Sequence, residues 1–386
     1  SPDFNLPNQV CLHESVVINN MSINTDEYQW DFCMNDLDSV PSIKSSFVDS
    51  LAAFTVDYTV VRDSNRWYGF LTDFINNTIT RIDYESDLES GVKMTLLESI
   101  SPELSSPYQT RFFKFQNTWV AFIINSGNSH LLRVTFDDGL SEEPTEVDDL
   151  GTFNSLYNPF GLEIIEDEAN YYLIISNNGS DILSIIDFGE SLENNPSDSD
   201  VQNLLTGGEI NSISRTSFKK VSDEWIGMIC SRGDNAIYRI DMGSTLNDTE
   251  YTLTNIASVT FPEGIQIEKE GLNYYGWVAG RDLGLYRLRF GNDLKSIPEV
   301  DLIGTMGQSS QFKSFSLIRS SPDWYGFITS RNGGIVSTLK FQDRCEGQLS
   351  PSNEKVPTGI YYDLTGNYAI ELTGTLENGN QVSVQD

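Results

Sequence analysis

Histidine is nearly absent from this chain of 386 residues: only His13 and His130 occur. They lie far apart in sequence, one before a terminal strand and the other in a hairpin, so histidine metal sites and Ser-His-Asp triads lose most of their support. The phosphate-cradling G-x-x-x-x-G-K-[ST] loop, the dinucleotide G-x-G-x-x-G turn and the redox C-x-x-C pair are also missing. No apolar run is long enough for a membrane-spanning helix, so no direct membrane insertion is expected. No secretory leader is visible, and the opening SPDFNLPNQVC reads as the interior of a longer polypeptide, a mature or excised segment. Basic residues are scarce, with 24 Lys and Arg against 56 Asp and Glu for a net charge of −32. That balance excludes a basic footprint for nucleic acid and argues against an anionic membrane surface. It suits an exposed, highly soluble protein. No cofactor is called for; calcium stays open on charge alone, without a D-x-D-x-D-G loop to support it.

What is present is one motif written six times. An aromatic residue opens a short apolar run, an Asn/Gly/Asp turn follows, and a second apolar run closes the unit. The lead aromatics are Trp67, Trp119, Tyr171, Trp225, Tyr274 and Trp324, spaced 52, 52, 54, 49 and 50 residues apart. A period near fifty with paired apolar runs signals a radial or solenoidal array. Within copy four, Trp225 to Cys230 alternates as one strand, Gly233-Asp234-Asn235 turns the chain, and Ala236 to Met242 alternates as the next. An apolar run precedes each aromatic, as in Leu162 to Ile165, and a weaker one follows, as in Tyr251 to Ile256. Four strands per unit and six units predict an all-β fold, a six-bladed β-propeller with the lead aromatics packed between blades.

The sixth unit lacks a fourth strand after Phe341. The missing piece stands at the other end: FCMNDLDSVPSIKSS, from Phe32, matches FGNDLKSIPEVDLIG, from Phe290, across the linker and outer strand of unit five. Asp36 to about Phe47 is therefore expected to complete the last blade and close the ring. Cys33 and Cys345 then flank the donated strand and its partner, which predicts a Cys33–Cys345 disulfide. Such a bridge would contribute roughly 5 kcal/mol in the chain-entropy account. Cys230 reads as a buried thiol inside a strand, and Cys11 has no evident partner. Four free thiols in a reducing compartment remain the alternative.

Residues 1–34 and 346–386 lie outside the predicted ring of residues 35–345. Each holds a pair of short strands that cannot bury a core alone, so together they predict a small β-sandwich with the propeller inserted in its middle. Val16 to Ser22, Tyr28 to Phe32 and Thr365 to Gly379 carry the pattern VxxNxS…YxWDF…TGxYxxxLT…xNG. This resembles the PKD domain, an immunoglobulin-like sandwich. Cys33-Met34-Asn35 stands where that family continues with Gly-Asp-Gly, at the point of insertion. The blade wording, WYGF followed by YRLRFGN, resembles propeller modules in the large type IX-secreted surface adhesins of gliding bacteria. The resemblance implies an extracellular module on a bacterial cell surface, joined to neighbouring domains of a longer chain. It further implies a non-enzymatic role in binding or adhesion, with a surface glycan or protein as partner. Asp38-Ser39-Val40 and Asp49-Ser50-Leu51 resemble the Asp-Ser/Thr-hydrophobic acceptor of O-glycosylation in such bacteria, which implies modification at Ser39 and Ser50. The alternative function is a calcium-dependent propeller hydrolase or lactonase acting in the central channel.

Aligning the units on their lead aromatics exposes one further pattern. The residues seven places on are Phe74, Ser126, Asn178, Arg232, Arg281 and Arg331. Three consecutive blades thus present Arg at the same hairpin, on one face, in a chain poor in bases. Guanidinium forks suit carboxylate, sulfate or phosphate, so Arg232, Arg281 and Arg331 are the candidate site for an acidic or sulfated glycan. Pairing with Asp234 or Asp282 as ordinary turn chemistry is the competing expectation. Arg81, Arg133, Arg239 and Arg287 recur within the third strand and read as inter-blade bonds that maintain the fold.

Overall fold

The computed structural model describes residues 2–7, 9, 11, 15–32, 36–49, 52–84, 87–89, 92–282, 284–306, 311–320, 323–341, 352–360, 370–376 and 381–385. Among the described residues, the alternating segments form six four-stranded antiparallel sheets. Their first strands are Thr55–Asp63, Pro107–Phe115, Pro159–Asp167, Ile213–Val221, Pro262–Glu270 and Phe312–Ser320. Each first strand packs on that of the following sheet, and the last packs on the first, which closes a ring around a central channel. The fold is a β-propeller.

Turn chemistry sets the hairpins between second and third strands. Asn77, Ser129, Asp181 and Asn235 sit at φ of 54°, 64°, 60° and 53°, a region that short polar residues tolerate. In the last sheet two glycines take over, and a Cβ on Gly334 would collide with the Asp49 carbonyl. The lead aromatics pack between sheets, as the repeat predicts. Trp225 donates its indole N–H to Asp167 at 3.0 Å and Trp324 to Glu270 at 2.8 Å, each acid ending the first strand of the preceding sheet.

The third-strand arginines are clasps to the neighbouring sheet. Arg81 donates to the Glu142 carbonyl at 2.9 Å, Arg133 to the Asn194 carbonyl at 2.8 Å, and Arg239 to the Lys295 carbonyl. Arg287 donates to the carbonyls of Leu37 and Ser39 at 3.4 and 3.1 Å. The N-terminal segment thus stands where the other sheets place their own inter-strand loop. The fourth strand of the last sheet is Ser42–Val48, paired with Ile335–Lys340. It begins later than expected, because Asp36–Asp38 forms a 3-10 turn whose Leu37 amide donates to Glu270 at 2.8 Å.

The two chain ends share a three-stranded sheet in which Glu371–Leu376 pairs with both Thr25–Asp31 and Gln381–Gln385. Phe4, Val16, Ile18, Trp30, Phe32, Ile360, Ile370 and Leu372 form its core, drawn from both ends. Arg319 ties this sheet to the propeller: its guanidinium lies 2.6 Å from Asp31, 2.9 Å from Glu371 and 3.3 Å from Glu270. Cys230 is fully buried, and burial pushes its thiol well above the usual range. Cys33 and Cys345, the expected disulfide partners, lie outside the described residues, as do His13 and Ser50. Ser39 is buried, so its modification would require the closing segment to open.

Candidate binding site at the channel mouth

The six aligned hairpin residues occupy one repeated geometry. Phe74, Ser126, Asn178, Arg232, Arg281 and Arg331 donate their amides to the carbonyls of Phe54, Ser106, Asn158, Ser212, Phe261 and Gln311 at 2.8–3.2 Å. Each acceptor directly precedes a first strand. All six hairpins therefore surround the same end of the channel, and the three arginines stand on consecutive sheets.

A second repeated device lies just inside. Every first strand carries a β-bulge near its start, at Val56, Tyr108, Phe160, Ser214-Arg215, Glu263 and Lys313. A bulge leaves its extra residue out of the ladder and re-aims its side chain, here toward the mouth. The sequence reading missed these positions. A bulge depends on how the two strands pair, and composition alone carries no sign of it.

The bulge residues and the rim arginines form one charged network. Glu263 has no exposed surface; Lys313 donates to it at 3.0 Å, while Arg232 and Arg281 stand at 3.6 and 3.9 Å. Arg281 and Arg331 both donate to the Gln311 side-chain oxygen at 2.9 Å, which holds the two guanidinium groups side by side. Burial pulls the Lys313 ammonium down to about 8 although Glu263 opposes the shift, with Arg232 and Arg281 adding to it. Asp234 instead accepts from Asn211 and Ser231, and Asp282 from Tyr286. Neither acid takes the arginine that the competing expectation assigned to it. Arg331 has no carboxylate partner among the described residues; its guanidinium lies over the Phe54 ring at 4.7 Å.

The opposite half of the mouth is aromatic. Tyr108 stacks on Phe160 with centroids 3.9 Å apart, and Phe74 packs edge-on to Tyr108 and beside Phe54. Arg232 lies over Phe160 at 5.2 Å, so the charged and aromatic halves meet. Phe261, beside Arg281, is exposed and adopts φ of 44°, an unusual conformation for an aromatic residue. Ser106, Asn158 and Ser212 share that backbone at equivalent places, so the fold imposes the turn and only the side chain is special.

Below the rim, Arg215 bars the channel. Its guanidinium donates to the Val56 carbonyl at 2.6 Å and to the Lys313 carbonyl, and stands 3.4 Å from Asp57. It thereby joins the fourth sheet to the first and the sixth. Deeper channel side chains are engaged in holding neighbouring sheets: Asp57 accepts from the Thr110 amide, Gln109 from Leu162, Glu163 from Phe218, Ser217 from Ile267 and Gln266 from Leu317. Among the described residues, no group of three or more His, Cys, Asp or Glu is placed to hold a metal ion.

No protein-family model matches the chain, and no curated protein is similar to it. Solved structures are similar in fold. A structural-genomics protein of unknown function from Bacteroides thetaiotaomicron has a TM-score of 0.50 at 11% identity, covering 86% of this chain and 83% of that one. The lectin SapL1, in complex with alpha methyl fucoside, has a TM-score of 0.48 at 8% identity over 76% of this chain and 94% of its own. A thermostable family-43 glycoside hydrolase has a TM-score of 0.47 at 12% identity over 70% and 98%. The expectation of a non-enzymatic module is corrected by these neighbours, among which an enzyme stands beside a lectin.

Proposed function

We propose that the channel mouth binds an acidic glycan through Arg232, Arg281 and Arg331. The carrying observation is the Arg281–Gln311–Arg331 clamp, with Arg331 lacking any described carboxylate partner in a chain of net charge −32. The Arg331 guanidinium, left without a close carboxylate, is ready to accept one from a ligand. The adjoining Phe54, Phe74 and Phe160 offer apolar rings against which the less polar face of a pyranose packs. The Arg215 bar favours a ligand seated on the mouth over chemistry inside the channel. Architecturally, the reading is a six-bladed propeller of residues 35–345 inserted into a PKD-like sandwich of residues 1–34 and 346–386. Its setting is the bacterial cell surface, within a longer chain and in an adhesive role.

Calorimetric titration with polygalacturonate, a sulfated polysaccharide and neutral dextran tests the site. The parent protein is expected to bind an acidic polymer and not dextran, and the triple Arg→Ala variant is expected to lose about 10- to 100-fold in affinity. Absence of binding in the parent, or unchanged binding in the variant, sinks the proposal. Reducing-end release in the same mixtures reports whether a bound glycan is also cleaved.

A further inference from the structure

The face opposite the mouth carries a depression at the seam between the first and second sheets. Arg66, Tyr68, Arg81, Asp83, Tyr84, Lys93 and Ser141 line it. Three cations meet one carboxylate there, and Arg81 already takes that carboxylate, donating to Asp83 at 2.8 Å. Arg81 is more than nine-tenths buried and is fixed by this bond and its clasp to the Glu142 carbonyl. Arg66 and Lys93 are exposed, and their side chains make no hydrogen bond or ion pair with the described residues.

Among the six sheets only this one opens its second strand with a base; Thr118, Asn170 and Asn273 stand there in the second, third and fifth sheets, and acids in the other two. Arg66 opens the second strand of its sheet; Glu224 and Asp323 open the same strand in the fourth and sixth sheets. There the seams are bridged from within the protein. Glu224 pairs with Lys295 of the next sheet. Asp323 pairs with Lys340 at 2.8 Å, and Lys340 also reaches Glu89 of the next sheet at 3.3 Å. In the first sheet a base replaces that acid, so the seam stays open with an excess of positive charge. A concave, basic spot on a strongly acidic chain attracts an anion both at long range and by direct hydrogen bonds.

We propose that this seam is a second binding site, separate from the mouth, for a single oxyanionic group such as a sulfate or phosphate. Arg66 and Lys93 would close on the anion from either side. Arg81 would supply a fixed positive charge beneath it, and the Ser141 hydroxyl a donor at the edge.

The test is calorimetric titration of the whole chain, in chloride at constant ionic strength, with sodium sulfate, inorganic phosphate and a monosulfated disaccharide. Arg66→Glu installs the acid that the fourth and sixth sheets carry and reverses the charge on one side of the seam. Lys93→Gln removes one exposed cation and serves if the first variant folds poorly. Beyond any binding at the mouth, one saturable site per chain is expected in the parent, weakened about tenfold or more in either variant. It should be unchanged in the Arg232, Arg281, Arg331 triple variant, which separates this site from the mouth. Tighter binding of the sulfated disaccharide than of sulfate identifies a glycan substituent as the source, and equal binding identifies the free anion. No saturable binding in the parent, or unweakened binding in Arg66→Glu and Lys93→Gln, overturns the proposal.

Discussion

Glu263 is surrounded by cations at the channel mouth, with Lys313 at 3.0 Å and two arginines within 3.9 Å. Removing its charge leaves a buried ammonium without a counter-ion, a change that costs about 3–5 kcal/mol. Glu263→Leu is therefore expected to shift urea unfolding strongly, and the double variant with Lys313→Met to recover part of the loss. A double-variant cost equal to the sum of the two single costs would show that the pair is not coupled. Glu163, deeper in the channel, carries a pH signature. Burial raises its carboxyl from 4.5 to about 7, against the Phe218 amide bond and the Lys219 and Arg111 charges. The protonated form thus fits the fold better. Its contribution is complete below about pH 4.5 and is lost as pH rises through 7. Glu163→Gln keeps an acceptor for the Phe218 amide, so its stability relative to the parent should improve between pH 4.5 and 8. Thermal unfolding at several pH values reads this directly, and a pH-independent difference contradicts it.

The element that decides closure is the strand Ser42–Val48. It is held by its ladder to Ile335–Lys340 and by the Arg287 clasp on the segment before it. Arg287→Met removes that clasp and leaves Asp301, 2.9 Å away, without the guanidinium. A loss of about 1–3 kcal/mol is expected, together with faster proteolysis between residues 36 and 49. Arg239→Met should cost a similar amount without exposing the N-terminal segment, because its clasp joins sheets continuous in sequence. The strand, its donor segment and the role of the recurrent arginines were all legible in the sequence, since each repeats at the period of the fold. The bulges at Tyr108, Glu263 and Lys313 were not legible. They arise from a one-residue mismatch between paired strands, and the seven residues at the six bulges are all of different kinds. The shared hairpin position of the rim arginines follows from the repeat, while their partners, Glu263 and Gln311, lie some thirty residues downstream of Arg232 and Arg281, on the next sheet, and could not be read from spacing.

At the scale of the whole molecule, Arg319 joins the terminal sheet to the ring by meeting Asp31, Glu371 and Glu270 together. Arg319→Met leaves three buried acids facing one another and is expected to separate the melting of the two parts by calorimetry. A single, uniformly shifted transition would show that other contacts suffice to couple them. The repeat of apolar runs, the displaced outer strand and the acidic balance needed only the order of residues along the chain. Periodicity and net charge are properties of a list. Which bases bind an external anion is a property of the folded body, because it depends on which acids reach them. Arg81, Arg133, Arg239 and Arg287 share one position and all find partners inside the protein. Arg66 and Arg331 find no described carboxylate, and only the packing of one sheet against the next leaves them so.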